Sequence, residues 1–304
     1  MALYAFDGTW NEDKDGTLHD TNVLKFHAAY LVEDAKKPYW KGPGTRGGWF
    51  GKIFGGAFGI GGKWRVHEAY KRFLDLYKAG EINVDIIGFS RGAAIALDFA
   101  NKICKEGARD SSGARVTPKI RFLGLWDTVA SFGLNYDVGP LLFHEWNPGW
   151  NLKVPPNVEH CYHALAIDEE RKSFGPTRNK AKGAHEVWFR GHHSDIGGGN
   201  ANPKRNNIAL RWMLKKAVAV GLPIDAAQLQ ALDGAIDPNE KLQPPKNPVH
   251  DPPRIIAPDD TIHYTVEQCT LPSRAKIPAD PPRETPGSEA QAQPLNPIAK
   301  AAAG

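Results

Sequence analysis

The sequence predicts an α/β fold, with a mainly parallel central sheet and helices on both of its faces. Three observations point there. Short apolar runs alternate with segments of helical periodicity, the pattern of strands joined by crossover helices. Several of those runs are apolar throughout instead of alternating, as befits strands covered on both sides. Finally, residues 84–94, VDIIGFSRGAA, pass from an apolar strand through Gly88-Phe89-Ser90-Arg91-Gly92 straight into an Ala-rich helix.

Taken in order, Leu3-Tyr4-Ala5-Phe6 is short and apolar and runs into Asp7-Gly8-Thr9, so it reads as a central strand with a turn at its C-terminal end. Helical spacing over residues 22–32 gives the first helix. A second covers 64–77, with Val66, Ala69, Tyr70, Phe73, Leu74 and Tyr77 on one stripe. The strand before Ser90 follows, then a helix over about 91–105 and strands at 120–126, 164–167 and 186–190, and last a helix at about 207–220.

Between the first two helices, residues 41–63 interleave glycines with Trp49, Phe50, Ile53, Phe54 and Phe58. That stretch is too flexible for a plain core element and too apolar for an ordinary solvated loop. It reads either as a flap that contacts lipid or as a loop that tucks its aromatics over the core. More than half of the 24 prolines lie beyond residue 236. Hence 1–235 is expected to be one domain and 236–304 a Pro-rich extension, partly packed to about 269 and mobile after that.

A serine at a sharp strand-to-helix turn sits in a strained backbone conformation, and the positions two before and two after it must be small for strand and helix to approach. Gly88 and Gly92 meet that need, which makes Ser90 the candidate nucleophile. Such a hydroxyl needs a base to take its proton and an acid to orient the base. Asp127 ends the apolar strand at 120–126, where open α/β sheets place functional groups. His192 and His193 follow the strand at 186–190 in a glycine-rich loop, and one of them is the expected base. Oxyanion donors are expected from the backbone N–H of Arg91 and from that of Gly8 or Thr9. Asp7 reads as a turn former whose carboxylate accepts local N–H groups.

These residues lie within a longer series of blocks: Phe6-Asp7-Gly8-Thr9-Trp10-Asn11, Thr21-Asn22-Val23, Gly42-Pro43-Gly44-Thr45, the Ser90 elbow, Trp126-Asp127-Thr128-Val129, Asp168-Glu169-x-Arg171-x-x-Phe174, and Trp188-Phe189-x-Gly191-x-His193-Ser194-Asp195-Ile196-Gly197-Gly198-Gly199. In them the chain resembles a family of α/β-hydrolases, first catalogued as a domain of unknown function, that includes type VI secretion phospholipase effectors. The resemblance implies an α/β-hydrolase-like fold with Ser90 as nucleophile, Asp127 as triad acid and His193 as general base. The position before the base is usually small and apolar in that family, so His192 stands as a supporting neighbour or as the alternative base. The resemblance further implies a lipid or phospholipid ester substrate, transient contact with a membrane surface, and a secretion-apparatus or immunity partner.

Composition narrows the remaining classes. A net charge of +4 without a Lys/Arg run argues against a nucleic-acid partner. Three widely spaced cysteines, with no C-x-x-C, suggest neither a disulfide framework nor a zinc site. His19, Asp20, His27, His160, His163 and Asp168 show no recognised ligand spacing, so neither metal nor cofactor is expected. No signal peptide or membrane-spanning stretch is read, so cytoplasmic synthesis is expected, with export by a type VI-like route on the family resemblance. The sequence therefore predicts a serine-dependent carboxylic ester hydrolase of lipase or phospholipase type. An esterase or thioesterase for a small soluble substrate, and a non-catalytic binding module that keeps the fold, are the alternatives.

Overall fold

The computed structural model describes residues 1–8, 20–42, 57–130, 150–244 and 251–293, with 57–60 by backbone alone. In chain order the strands are β1 (Ala2–Phe6), β2 (Tyr39–Trp40), β3 (Val84–Phe89), β4 (Ala108–Arg109), β5 (Arg115–Val116), β6 (Ile120–Trp126), β7 (Val158–Ala166), β8 (His185–Phe189), β9 (Thr261–His263) and β10 (Arg283–Glu284). The helices are α1 (Asn22–Ala29), α2 (Ala57–Lys78), α3 (Arg91–Glu106), α4 (His193–Gly197), α5 (Pro203–Ala219), α6 (Ala226–Ala231) and α7 (Thr265–Gln268).

Eight strands form one sheet in the order β10-β9-β8-β7-β6-β3-β1-β2, and its described pairings are parallel. From β1 the chain steps outward to β2, then crosses back to β3 and continues to the opposite edge. The order thus reverses between β1 and β3. A crevice opens at such a switch point, outside the carboxyl ends of the strands.

Side-chain alternation places the two halves of the core. Ala2, Tyr4 and Phe6 of β1 join Phe73 of α2 and Phe99 of α3 in one buried cluster. Leu3 and Ala5 join Phe26 of α1 and Trp212 of α5 in the other. Helices on both faces explain why β1 and β3 are buried along their whole length. Phe99 meets the rings of Tyr4, Phe6 and Phe73 at centroid distances of 5.1, 5.5 and 6.4 Å, and truncating it to alanine should cost about 3–5 kcal/mol.

Element boundaries shift for identifiable reasons. α1 stops at Ala29, short of residue 32, because Tyr30 turns extended to bridge Ile224 and sends its hydroxyl to Asp85 at 2.6 Å. α5 starts at Pro203, whose missing N–H costs nothing in a first turn. α2 begins at Ala57, so its first turns take up the end of the expected flap. Lys63, there, pairs with Asp98 of α3 at 2.6 Å and lies over the Trp150 ring. Trp49, Phe50, Ile53 and Phe54 lie outside the described residues, as does the side chain of Phe58.

Packing of the C-terminal segment continues past residue 269, contrary to the sequence expectation. β9 and β10 extend the sheet, and Glu284 and Glu289 are buried. Lys216 pairs with Glu284 at 2.7 Å, while Glu289 holds Arg211 at 2.9 Å and Lys215 at 3.0 Å. A Pro-rich segment has few N–H donors but keeps its carbonyl acceptors, and buried arginines meet them: Arg205 donates to Pro238 O and Glu240 O, Arg190 to Leu271 O and Pro272 O. The part of the expected mobile tail beyond residue 293 lies outside the described residues.

Candidate active site

Ser90 occupies the turn from β3 into α3 with φ 58° and ψ −126°. A non-glycine residue at positive φ is strained and persists only where its surroundings over-determine it. Here the Ser90 N–H donates to Trp126 O at 3.0 Å and its carbonyl accepts from Ala93 N at 3.1 Å. Close approach on both sides needs glycine: a Cβ on Gly92 would stand 2.3 Å from Phe6 O, and one on Gly88 would stand 2.7 Å from the Cα of Ala93. Arg91 opens α3 directly after the serine. Burial lowers its guanidinium to about 10.

Asp127 leaves the end of β6 at φ 37° and is fully buried. Its backbone N–H donates to Ala164 O at 2.8 Å. The next residue is pinned as well, since Thr128 donates its N–H to His163 Nε2 at 3.2 Å. That bond makes Nε2 the acceptor, so the His163 proton sits on Nδ1 and is given to Glu186 Oε1 at 3.2 Å.

His193 is the imidazole that joins the two. Its Nε2 lies 2.9 Å from Ser90 Oγ and its Nδ1 lies 2.6 Å from Asp127 Oδ2. The ring is met by Phe89 at 4.7 Å in a tilted contact and edge-on by Phe174 at 4.9 Å. The His193 N–H donates to Glu169 Oε2 at 3.2 Å, and Glu169 is in turn clamped by Arg171 at 2.8 and 2.9 Å. His192 stands one residue back as the N-cap of α4, giving its backbone N–H to Asp195 Oδ2 at 3.0 Å. Its Nδ1 finds no partner among the described residues.

The charges around this site oppose one another. Burial pushes the Asp127 carboxyl up, but Arg254 and His193 more than cancel that and hold it well below the usual carboxylate range. Burial lowers the His193 imidazole below its ordinary value, with Asp127 and Glu169 pulling the other way. Glu169 is raised by burial and lowered further by Arg171, ending at about 2.

Asp7 sits across the switch point, and it accepts the Gly8 N–H at 2.7 Å, the Thr21 hydroxyl at 2.6 Å and the Tyr39 hydroxyl at 2.5 Å. The Gly8 bond fits the turn-former reading of Asp7, whereas the Thr21 and Tyr39 hydroxyls reach it from distant parts of the chain. Gly8, expected as an oxyanion donor, gives its N–H to that carboxylate. Thr9 lies outside the described residues. The sequence assigns no role to Glu169, Arg171 or Phe174, although they stand in a noted block; it considers His163 only as a metal ligand, without its bonds to Thr128 and Glu186, and gives no sign of Arg254. Arg254 donates to both oxygens of Asp127, at 2.6 Å to Oδ1 and 3.0 Å to Oδ2. Among the described residues, no group of three or more His, Cys, Asp or Glu is placed to hold a metal ion, and no helix is long and apolar enough to cross a membrane.

A parallel sheet wrapped by helices, with a strained serine at a strand-to-helix turn beside the switch point, defines an α/β-hydrolase-like protein. The chain belongs to the family described as T6SS, phospholipase effector Tle1-like, catalytic domain, whose model matches residues 3–112 and 98–216. No curated protein matches it. Among solved structures it is similar to an uncharacterized protein from Pseudomonas aeruginosa, at 19% identity and a TM-score of 0.52, over 76% of this chain and 48% of that one. It is also similar to the Tle1 effector bound to the VgrG spike of the type 6 secretion system, at 22% identity and a TM-score of 0.43, over 66% of this chain and 52% of the other. The chain thus spans about half the length of the solved structures it matches.

Proposed function

We propose that this chain is a serine hydrolase that cleaves carboxylic esters through an acyl-enzyme, with lipid or phospholipid acyl esters as substrates. The hydrogen-bonded series Ser90–His193–Asp127 carries the reading. With Asp127 ionised and bonded to Nδ1, the neutral imidazole keeps its proton on that nitrogen and presents Nε2 as the acceptor for the serine proton. Ser90 Oγ then attacks the ester carbonyl, and His193 takes the proton. The tetrahedral intermediate collapses as His193 protonates the departing alcohol oxygen, and water repeats the sequence to free the fatty acid. The N–H of Arg91 is the proposed oxyanion donor, with Thr9 the remaining candidate from the turn after β1.

Membership of a phospholipase effector family supports lipid esters as the substrate class. In the same reading the protein is delivered by a type VI apparatus, meets a membrane surface at the target, and has a secretion or immunity protein as partner. Residues 1–235 form its catalytic domain, with the C-terminal segment laid against it. The test is labelling with a fluorophosphonate probe, combined with phosphatidylcholine and phosphatidylglycerol vesicles whose released fatty acid and lysolipid are read by mass spectrometry. The wild type should be labelled and release both products, and Ser90→Ala should do neither. A Ser90→Ala protein that released fatty acid at the wild-type rate would overturn the proposal.

A further inference from the structure

Arg254 lies in the Pro-rich C-terminal segment, outside every motif of the sequence, yet its side chain is only 6% exposed and reaches the acid of the proposed triad. Its two terminal nitrogens meet the two oxygens of Asp127, and they also donate to Ala166 O at 2.8 Å and Phe174 O at 2.5 Å. The segment that carries it is pinned on either side. Asp251 accepts the backbone N–H of Lys172 at 2.7 Å, Ile256 is buried with Leu165 and Trp188, and Asp260 pairs with Arg178 at 2.6 Å.

We infer that Arg254 is a positioning residue of this site: its guanidinium fork holds the Asp127 carboxylate in the orientation that meets His193 and shares its negative charge. The inference rests on the serine-hydrolase reading above. Oδ2 is engaged by His193 Nδ1 and Arg254 Nη2, and Oδ1 by Arg254 Nη1 and the Ala166 N–H at 3.1 Å. Rotation of the carboxylate would break several bonds at once, and a planar fork matches its geometry as an ammonium cannot.

The charge has a separate consequence. Arg171 beside Glu169 and Arg254 beside Asp127 each partner an acid near His193; further charged residues on the same elements are Asp195, two positions on in α4, and Arg91, which follows Ser90. Without Arg254 the full charge of Asp127 would act on the imidazole, His193 would take up a proton at higher pH, and less of it would remain as base.

The test compares wild type, Arg254→Met and Arg254→Lys on a soluble short-chain p-nitrophenyl ester between about pH 5 and 9, with kcat and KM separated. Arg254→Met should move the acid limb of kcat/KM up by about half a pH unit or more. It should also lower kcat about tenfold to a hundredfold with little change in KM. Arg254→Lys should leave the limb in place and still lose kcat, because it keeps the charge without the fork. A segment that served only for docking would not move the limb. An unchanged limb and kcat in Arg254→Met would overturn the inference, and so would wild-type kcat in Arg254→Lys should the Met variant fail to fold. Wild-type protein without turnover or fluorophosphonate labelling would sink the hydrolase reading and this inference with it, whereas an active, labelled wild type beside an unmoved Arg254→Met profile counts against Arg254 alone.

Discussion

Gly92 lies so close to Phe6 that a Cβ on the glycine would stand 2.3 Å from the Phe6 carbonyl oxygen and 2.6 Å from that of Asp7. Both obstacles are backbone at the end of β1, so no side chain can swing away. Gly92→Ala must therefore push α3 off the sheet, and α3 carries the turn that holds Ser90 in its strained conformation. We expect a loss of about 1–3 kcal/mol. That corresponds to a melting temperature lower by about 2–5 °C, with fluorophosphonate labelling reduced as well. Wild-type melting and labelling in this variant would show that β1 and α3 do not approach as described.

Asp127→Asn separates orientation from fold. The amide keeps the size of the carboxylate but removes its charge, so the imidazole loses the partner that fixes its tautomer. An analogous change in a serine protease lowers kcat by about ten-thousandfold, and a similar drop is expected here per folded molecule. It also leaves Arg254 buried without its anion, at a cost of about 3–5 kcal/mol. Ester turnover and a thermal melt measured on the same preparation check both parts. Turnover within tenfold of wild type would exclude Asp127 as the orienting acid.

The pH profile follows from the two directions of shift. Burial lowers the His193 imidazole below its ordinary value of 6.5, so the base stays neutral at and somewhat below that pH. Activity should rise with pH and reach half its plateau below 6.5, because protonation of His193 removes the acceptor that Ser90 needs. Stability follows Glu169. Its carboxyl is held at about 2 against an ordinary 4.5, so its contribution is complete above 4.5 and is lost as pH falls toward 2. Glu169→Gln should flatten that part of an acid-unfolding curve. An unaltered curve would mean that the bonds from Arg171 and the His193 N–H contribute nothing measurable.

How much of this site could be read from residues alone depends on how each residue earns its place. Ser90 was legible because its turn demands small neighbours at fixed spacing, and Asp127 because it ends an apolar strand. His193 and His192 could not be separated by local physics, and only the fold turns one ring toward Ser90. Arg254 left no signal, since an arginine between Pro253 and Ile255 has no period to match and its partner stands 127 positions away in sequence. β7 is legible only from Ala164 because Glu159, His160 and His163 interrupt the part before it with polar residues, two of which spend their polarity on Gln293 and Glu186. The early start of α2 runs against propensity, with glycines at 59, 61 and 62 inside the helix. β10 is two residues long, too short for any pattern to announce it.

Arg205 offers a way to loosen the C-terminal segment without touching Ser90, His193 or Asp127. It is 1% exposed, and its guanidinium donates to Glu240 O at 2.9 Å and Pro238 O at 2.8 Å, where the chain leaves α6 for the Pro-rich stretch. Arg205→Met would keep much of the volume and withdraw those donors, leaving part-buried carbonyls unmet at a total cost of about 1–3 kcal/mol. The same stretch leads on to Arg254, so looser docking should reach the site through Asp127. Limited proteolysis should then cut earlier between residues 238 and 260, and kcat should fall together with protection. If cleavage appeared earlier while kcat stayed at the wild-type value, docking of this segment and geometry of the site would be independent, and the coupling described here would be wrong.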